Sequence, residues 1–408
     1  MGEATRTFGP LRHSGFARIL LGALLANLGN AIQTVGASWH LTEAGQPADV
    51  IALVQTMYNL PIMLLALPAG AFADMFDRRR IMLTAMAGML LVSLTLVWVA
   101  SSGAAGPVVM IGLTALLASG VACFAPAMSA SIGASVPRVE LAAAVALNIT
   151  AFNAARSVGP ALGGWVVSVG GAEAAFAVNA VCYTAALAVF VSWRAPAVTA
   201  PPRRAMLAVI REGVAFALGS REIRTIMARA FLFCTSGAAV WALMPLVAEE
   251  MMGRGASVFG LLLGALGLGA VIGAASATRI RARFSAEIIT RAAGMIYGAC
   301  CLAIAFAPGL PATLVLLVAA GAGWVQAMSG FAVAGQMWAP RELVGRITAL
   351  VSSLTFGGIA LGSWLWGHAA ESFGVAQALG ASGALMIVLP LLGVLLPMPG
   401  HGGRAAAN

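Results

Sequence analysis

Arg156 is the one charged residue in the apolar run 141–168, and Asn148, Phe152 and Asn153 precede it closely. A helix starting near Leu141 would carry Arg156 ~22 Å along its axis. On such a helix Asn148, Phe152 and Arg156 share a face at a spacing of four, with Asn153 three residues before the arginine. If the helix crosses a bilayer, the guanidinium stands near the midplane. A charge there costs at least ~2.5–3.5 kcal/mol on insertion scales, so it must face a cavity or a partner. Two uses are open: contact with an anionic or oxygen-rich group of a substrate, or bonds to carbonyls and amides of a neighbouring helix. Asn27, Asn30 and Thr34 form a second polar face, Gln55 and Asn59 a third, and Gln326 adds an amide in the second half of the chain. For each amide the competing use is interhelical hydrogen bonding, worth ~0.6–2 kcal/mol.

Other chemistries lack their residues. The sequence holds no CxxC, HExxH or GxSxG pattern and no phosphate-cradling GxxxxGK[ST] loop. The five cysteines (Cys123, Cys182, Cys234, Cys300 and Cys301) lie within apolar runs, as small buried hydrophobes do, and the four histidines are scattered. The expectation is a chain that is not an enzyme, with no cofactor or metal and no ATP-driven transport of its own.

The elements that position these residues follow from composition. Of 408 residues, 61% are hydrophobic and 9% charged, where a soluble domain carries roughly a quarter charged. Crossing the hydrocarbon takes ~20 mainly apolar residues in a helix that satisfies its own backbone. Segment 81–100 shows none of the alternation of a membrane β-strand. The apolar N-terminal run is too long and too polar at Asn27, Asn30 and Gln33 for a cleaved signal, so it reads as an uncleaved first span. Twelve spans are expected near 16–40, 49–73, 80–100, 106–134, 141–168, 172–193, 224–248, 257–278, 288–307, 310–336, 344–370 and 374–396. Every third one is almost purely apolar and suited to face lipid. The polar faces on the others suit a central water-filled cavity.

The formal charge of +9 comes wholly from arginines, most of them between spans. That distribution is a topology signal rather than a nucleic-acid surface. Arg6, Arg12, Arg18, Arg78, Arg79, Arg80, Arg138, the arginines of 194–224, Arg279, Arg281, Arg283, Arg341, Arg346 and Arg404 share one side, while the opposite loops hold Arg254 beside Glu43, Asp49, Glu173, Glu249, Glu250 and Glu371. The positive-inside rule puts both termini in the cytoplasm of a multi-pass cell (inner) membrane protein. The halves also align without gaps at an offset of 203: Arg18 on Arg221, Gly70 on Gly273, Arg78 on Arg281, Pro137 on Pro340 and Gly159 on Gly362. Parallel six-span repeats are a transporter architecture. The expected domains are a six-helix bundle over 1–194, a cytoplasmic linker over 195–222 and a second bundle over 223–408. The linker carries an amphipathic helix expected to lie on the membrane surface.

Two motifs carry a resemblance. The sequence Gly70-Ala-Phe-Ala-Asp74-Met-Phe-Asp77-Arg78-Arg79-Arg80 resembles the signature loop of the major facilitator superfamily, with Met75 and Asp77 in place of its usual basic residue and glycine. Gly159-Pro160-Ala-Leu-Gly163-Gly164 resembles the motif of its antiporter branches, and 124–148 is similar to the subfamily of the bacterial enterobactin exporter. The resemblance implies an all-α integral membrane fold of twelve helices in two pseudo-symmetric bundles. It implies that Asp74 latches onto a helix N-terminus or a basic side chain of the other half. In the second half Ala277 replaces that aspartate, so such a latch would be asymmetric. Gly70 and Gly273 should permit close helix approach, and Arg78, Arg79 and Arg80 have a plainer use as anchors for anionic headgroups. Pro160 leaves the Arg156 carbonyl without its helical partner, and Gly159 and Gly163 offer a small-residue face that either seals the cavity or packs a bent span.

The function expected is secondary active transport, with proton-coupled efflux of a small organic molecule (siderophore-like, drug or secondary metabolite) by a monomer embedded in membrane lipids. Import or facilitated passage of a metabolite is the alternative. A membrane enzyme or sensor would need a catalytic group or an extramembrane domain that the sequence lacks. Proton coupling usually uses an intramembrane carboxylate, and no Asp or Glu stands mid-span.

Overall fold

The computed structural model describes residues 9–193, 206–253, 255–340, 342–391 and 397–398. The side chains of Asp74, Ala142, Asn153, Ser157, residues 206–209 and Leu391 lie outside the described set, as do Arg254 and Arg341. Four helices open the chain: α1 (Ser14–Glu43), α2 (Ala48–Met75), α3 (Arg78–Ser101) and α4 (Pro107–Ala134). A helical element of 52 residues, Leu141–Ser192, follows. Both of its ends come back to the start of α1: Glu140 lies 3.0 Å from His13, and the Ser192 carbonyl accepts a 2.8 Å hydrogen bond from Arg18. The element therefore doubles back on itself. The reversal sits at Gly170-Gly171, where Gly171 takes φ 71° and ψ −177°, a region that a side chain excludes. Its legs are α5 (141–169) and α6 (172–192).

The second half comprises α7 (Met206–Gly219), α8 (Arg221–Leu246), α9 (Ala256–Arg283), α10 (Ala286–Ala305), α11 (Leu310–Trp338), α12 (Val344–Phe373) and α13 (Val375–Val388). Ten helical elements among the described residues are long and apolar enough to cross a membrane. With the 52-residue element divided into two legs and the shorter apolar α13 added, they make twelve spans in two six-helix bundles. The described part of the last span runs to residue 391, and the remainder of the expected stretch, 392–396, lies outside the described residues. Pro390 lacks the amide hydrogen that would continue the helix, and α13 passes into a short 3-10 turn at Leu389–Leu391.

The repeat is visible in the packing. A side chain at Gly159 of α5 would run into Ala31 of α1. Its counterpart Gly362 on α12 is pressed in the same way against Thr235 and Ala238 of α8. Helix α7, the helix expected in the linker, is packed in part against the second bundle. Its Ala217 is buried, Gly213 backs onto Arg346 at the start of α12, and Glu212 pairs with the Arg346 guanidinium at 2.5 Å. One face of the helix is thus docked on protein.

The helix ends that carry Arg78–Arg80, Arg138, Arg221, Arg283 and Arg346 are called the arginine-rich end below, and the other the far end. At the far end the bundles meet closely. The Cα atoms of Gly164 on α5 and Gly260 on α9 leave no room for a side chain on either residue. Gly367 of α12 lies against Asp49 and Ala52 of α2, and Trp39 stacks on Phe259 with ring centres 6.1 Å apart. The hydrogen bonds found from α2 to α12 come from the first sixteen residues of α2: Ala48 to Glu371, Thr56 to Ala360 and Ser353 to the Met63 carbonyl. Beyond them toward the arginine-rich end, Leu64 and Phe72 of α2, Phe76 just past its end, and Val145 and Ile149 of α5 are exposed. The bundles close at one end and part toward the other.

The Gly171 turn is testable. Gly171→Val should destabilise the solubilised protein by ~1–3 kcal/mol, read as a lower midpoint of thermal unfolding. Gly88→Ala, in a helix with open space around it, should leave that midpoint unchanged or raise it slightly.

Candidate functional site: the space between the bundles

Pro160 and the packed glycines set the course of α5 and thereby the position of Arg156. Gly159 and Gly163 seat one face of α5 on Ala31, Ile32 and Val35 of α1, while Gly164 meets α9 of the other bundle. About one turn before Gly159, Arg156 is directed into the space between the bundles. Its side chain is exposed although it stands ~22 Å up a membrane-spanning helix. Its guanidinium carbon lies 5.3 Å from the ring centre of Trp241 on α8 and 5.8 Å from that of Phe152 on its own helix. Cations over aromatic faces at such distances are attracted by the ring quadrupole, by ~0.5–2 kcal/mol.

The polar residues of the first bundle are partly engaged. Asn30 donates to Tyr58, tying α1 to α2, and Asn27 donates to the Ala23 carbonyl one turn back at 2.8 Å. Asn59 is buried and donates to the Gln55 carbonyl at 2.6 Å, and the Gln55 side chain is half-buried. Asn148 is half-buried on the Arg156 face of α5. The Asn153 side chain lies outside the described residues. Gln326 must be set apart from the cavity group. Its side chain is buried inside the second bundle, where it donates to the Gly273 carbonyl at 2.8 Å and to Ser276 at 3.2 Å, joining α11 to α9. Burying an amide among apolar helices requires such partners, and α9 supplies them.

The motif around Gly70 shows a mixed picture. Gly273 lies against the Ala322 backbone as a close approach requires, whereas a side chain at Gly70 would meet nothing within 4 Å. The close helix approach expected at Gly70 is therefore not made there. Asp77 caps α3 by accepting the Arg80 amide at 2.8 Å, a role that a glycine could not fill. Arg79 donates to the Trp193 and Val191 carbonyls at 2.9 and 2.8 Å, holding the end of α6, and Arg78 reaches the Ala130 carbonyl at 3.4 Å. These arginines bond to helix ends and are structural as well as topological. The Asp74 side chain, with the latch expected of it, lies outside the described residues.

Three participants were missed in the sequence. Tyr58 adjoins Asn59 and lies three residues from Gln55, so the polar face of α2 could have revealed it. Trp241 carried no signal, because its partner Arg156 is 85 residues away in the other bundle. The third is the part-buried network in which Glu287 of α10 holds both Arg229 of α8 and Arg291, and also accepts the Met398 amide at 2.7 Å. A crevice beside it, lined by Arg229, Phe233, Thr290, Phe331 and Met386, lies within the second bundle and not between the two.

Comparison with known proteins agrees with this architecture. The family model described as transmembrane secretion effector, within the major facilitator superfamily, matches residues 5–407. The chain is 27% identical to the multidrug efflux pump Tap of Mycolicibacterium fortuitum, covering 93% of this chain and 95% of that one. It is 24% identical to the staphyloferrin A transporter of Staphylococcus aureus, over 61% of this chain and 63% of that one. Among solved structures, a bacterial homologue of the human lysosomal transporter Spinster superposes with a TM-score of 0.76 at 14% identity, covering 95% of this chain and 97% of that one. These relatives are transporters and not enzymes. From residue 5 to residue 407 this chain belongs to the transmembrane secretion effector family of the major facilitator superfamily.

Proposed function

We propose that the protein exports a small organic molecule, of the drug, secondary-metabolite or siderophore kind, across the cell (inner) membrane by alternating access. The observation that carries this reading is a solvent-reached arginine between two bundles that are shut at the far end and parted at the arginine-rich end. The positive-inside rule sets the arginine-rich end and both termini in the cytoplasm. In that orientation the structure opens inward, the state in which an exporter takes up its cargo. The relative named as a multidrug efflux pump, similar along nearly the whole chain, supports outward transport. Residues 1–194 and 223–408 are the two moving bundles, and 195–222 is the cytoplasmic linker, whose helix α7 rides on α12. One chain encloses the whole cavity, so a monomer embedded in lipid suffices. The drive assigned is proton re-entry. The carrier then belongs to the acids near helix ends, since none of the fourteen stands mid-span.

The closed end supplies the switching element. The Glu371 carboxylate of α12 accepts the Ala48 amide at 2.8 Å, at the N-terminus of α2, where the helix dipole favours a negative charge. One residue on, Asp49 lies 3.8 Å from His368. The Gly164–Gly260 contact adds close packing that only glycines allow.

Two outcomes follow. A deletion strain challenged with a panel of drugs and metabolites should retain at least one compound that the parent expels, and an uncoupler that collapses the proton gradient should make the parent retain it too. Starvation for an external compound, without retention of any, would establish import instead. Glu371→Gln should weaken the far-end closure by ~1 kcal/mol, shifting the population about fivefold toward the outward-open form. In a background without native cysteines, the test is the rate at which Phe259→Cys reacts with an impermeant maleimide added outside cells. An unchanged rate would remove Glu371 from the latch.

A further inference from the structure

We propose that the cargo is an organic anion bearing a flat unsaturated ring, read jointly by Arg156 of the first bundle and Trp241 of the second. This deepens the transport reading above and rests on it. The charge inventory carries the argument. Among the described residues, Arg229 and Arg291 are paired with Glu287 and Arg346 with Glu212, while Arg18 and Arg79 are bonded to backbone carbonyls. Arg156 has neither kind of partner. Its contacts are the rings of Trp241 and Phe152. No acidic residue occurs in the chain between Glu140 and Glu173 or between Glu222 and Glu249, so neither α5 nor α8 can supply a counter-charge at this depth.

A guanidinium whose carbon lies 5.3 Å from the Trp241 ring centre, with no carboxylate or carbonyl among the described residues bonded to it, has N–H donors to offer a cargo. Such donors fit a carboxylate, sulfonate or phosphate through two parallel hydrogen bonds. A cationic cargo would meet an uncompensated positive charge instead. The rings suit the rest of the cargo. Phe152 is exposed and Trp241 half-buried, and Trp241 is braced edge-on by Trp324, with ring centres 6.1 Å apart. Trp324 is packed in turn on Phe233 and Tyr297. A platform fixed from behind presents its face without losing rotamer freedom on binding. Since the two readers sit on opposite bundles, an anion with a ring engages both at once, and a compound lacking either feature engages one.

Three probes with the same ring test this: 2-naphthoate, neutral 2-naphthamide and cationic 2-naphthylmethylammonium, with binding to the purified full chain measured by calorimetry. The wild type should bind the naphthoate about tenfold or more tighter than the other two, as expected for charge-assisted hydrogen bonds. Arg156→Gln should bring the three affinities together, and Arg156→Lys should keep much of the preference. Trp241→Ala should weaken naphthoate about fivefold while leaving ring-saturated cyclohexanecarboxylate nearly unchanged. Thermal unfolding checks that each variant is folded. A wild type that prefers the amide or the ammonium, or that binds none of the probes, overturns the proposal. So does an Arg156→Gln protein that is folded and still prefers naphthoate. The transport reading fails separately, if deletion leaves the retention of every compound in the panel unchanged.

Discussion

Hydrocarbon cannot hydrogen-bond, and every other feature of this protein is arranged around that fact. Each span must close its backbone within itself, so the chain is cut into helices, and polar side chains inside the membrane have to find one another or find water. Three solutions occur side by side. Gln326 is buried with partners on α9, Asn30 donates to Tyr58 between α1 and α2, and Arg156 is turned toward the solvent-reached space between the bundles.

Small residues decide where the bundles can touch. In a membrane there is little hydrophobic gain in joining two apolar helices, so association depends on close packing and on hydrogen bonds. The Gly164–Gly260 contact and the Glu371 carboxylate on the α2 N-terminus supply one of each at the far end. Toward the arginine-rich end, Gly70 has open space around it. The antiporter-like motif therefore serves two surfaces: Gly159 and Gly163 fix α5 to α1 within a bundle, and Gly164 meets the other bundle. A helix fastened in this way holds Arg156 in a defined place relative to Trp241, which belongs to the opposite bundle.

Much of this was legible in the residues. The apolar runs and arginine clusters announced twelve spans and their alternating direction, because crossing a bilayer imposes a length and a charge asymmetry that composition alone displays. The offset of 203 between halves anticipated the equivalent packing of Gly159 and Gly362. Arg156 was conspicuous because a lone charge in a span is costly and demands a reason.

Partnership between distant segments was a different matter. Gln326 and Asn59 look alike as amides in spans, yet one bridges α9 and α11 within a bundle and the other donates to its own helix. Whether Arg156 would bond to a neighbouring helix or face open space depended on the rotation of α5, which Gly159, Gly163 and Gly164 settle through contacts with two other helices. Trp241 acquires its place beside Arg156 only when the bundles are assembled. Helical periodicity is local, written within a few turns of one segment. The meeting of side chains from opposite bundles depends on how whole helices are rotated and shifted against each other, and no single segment records that.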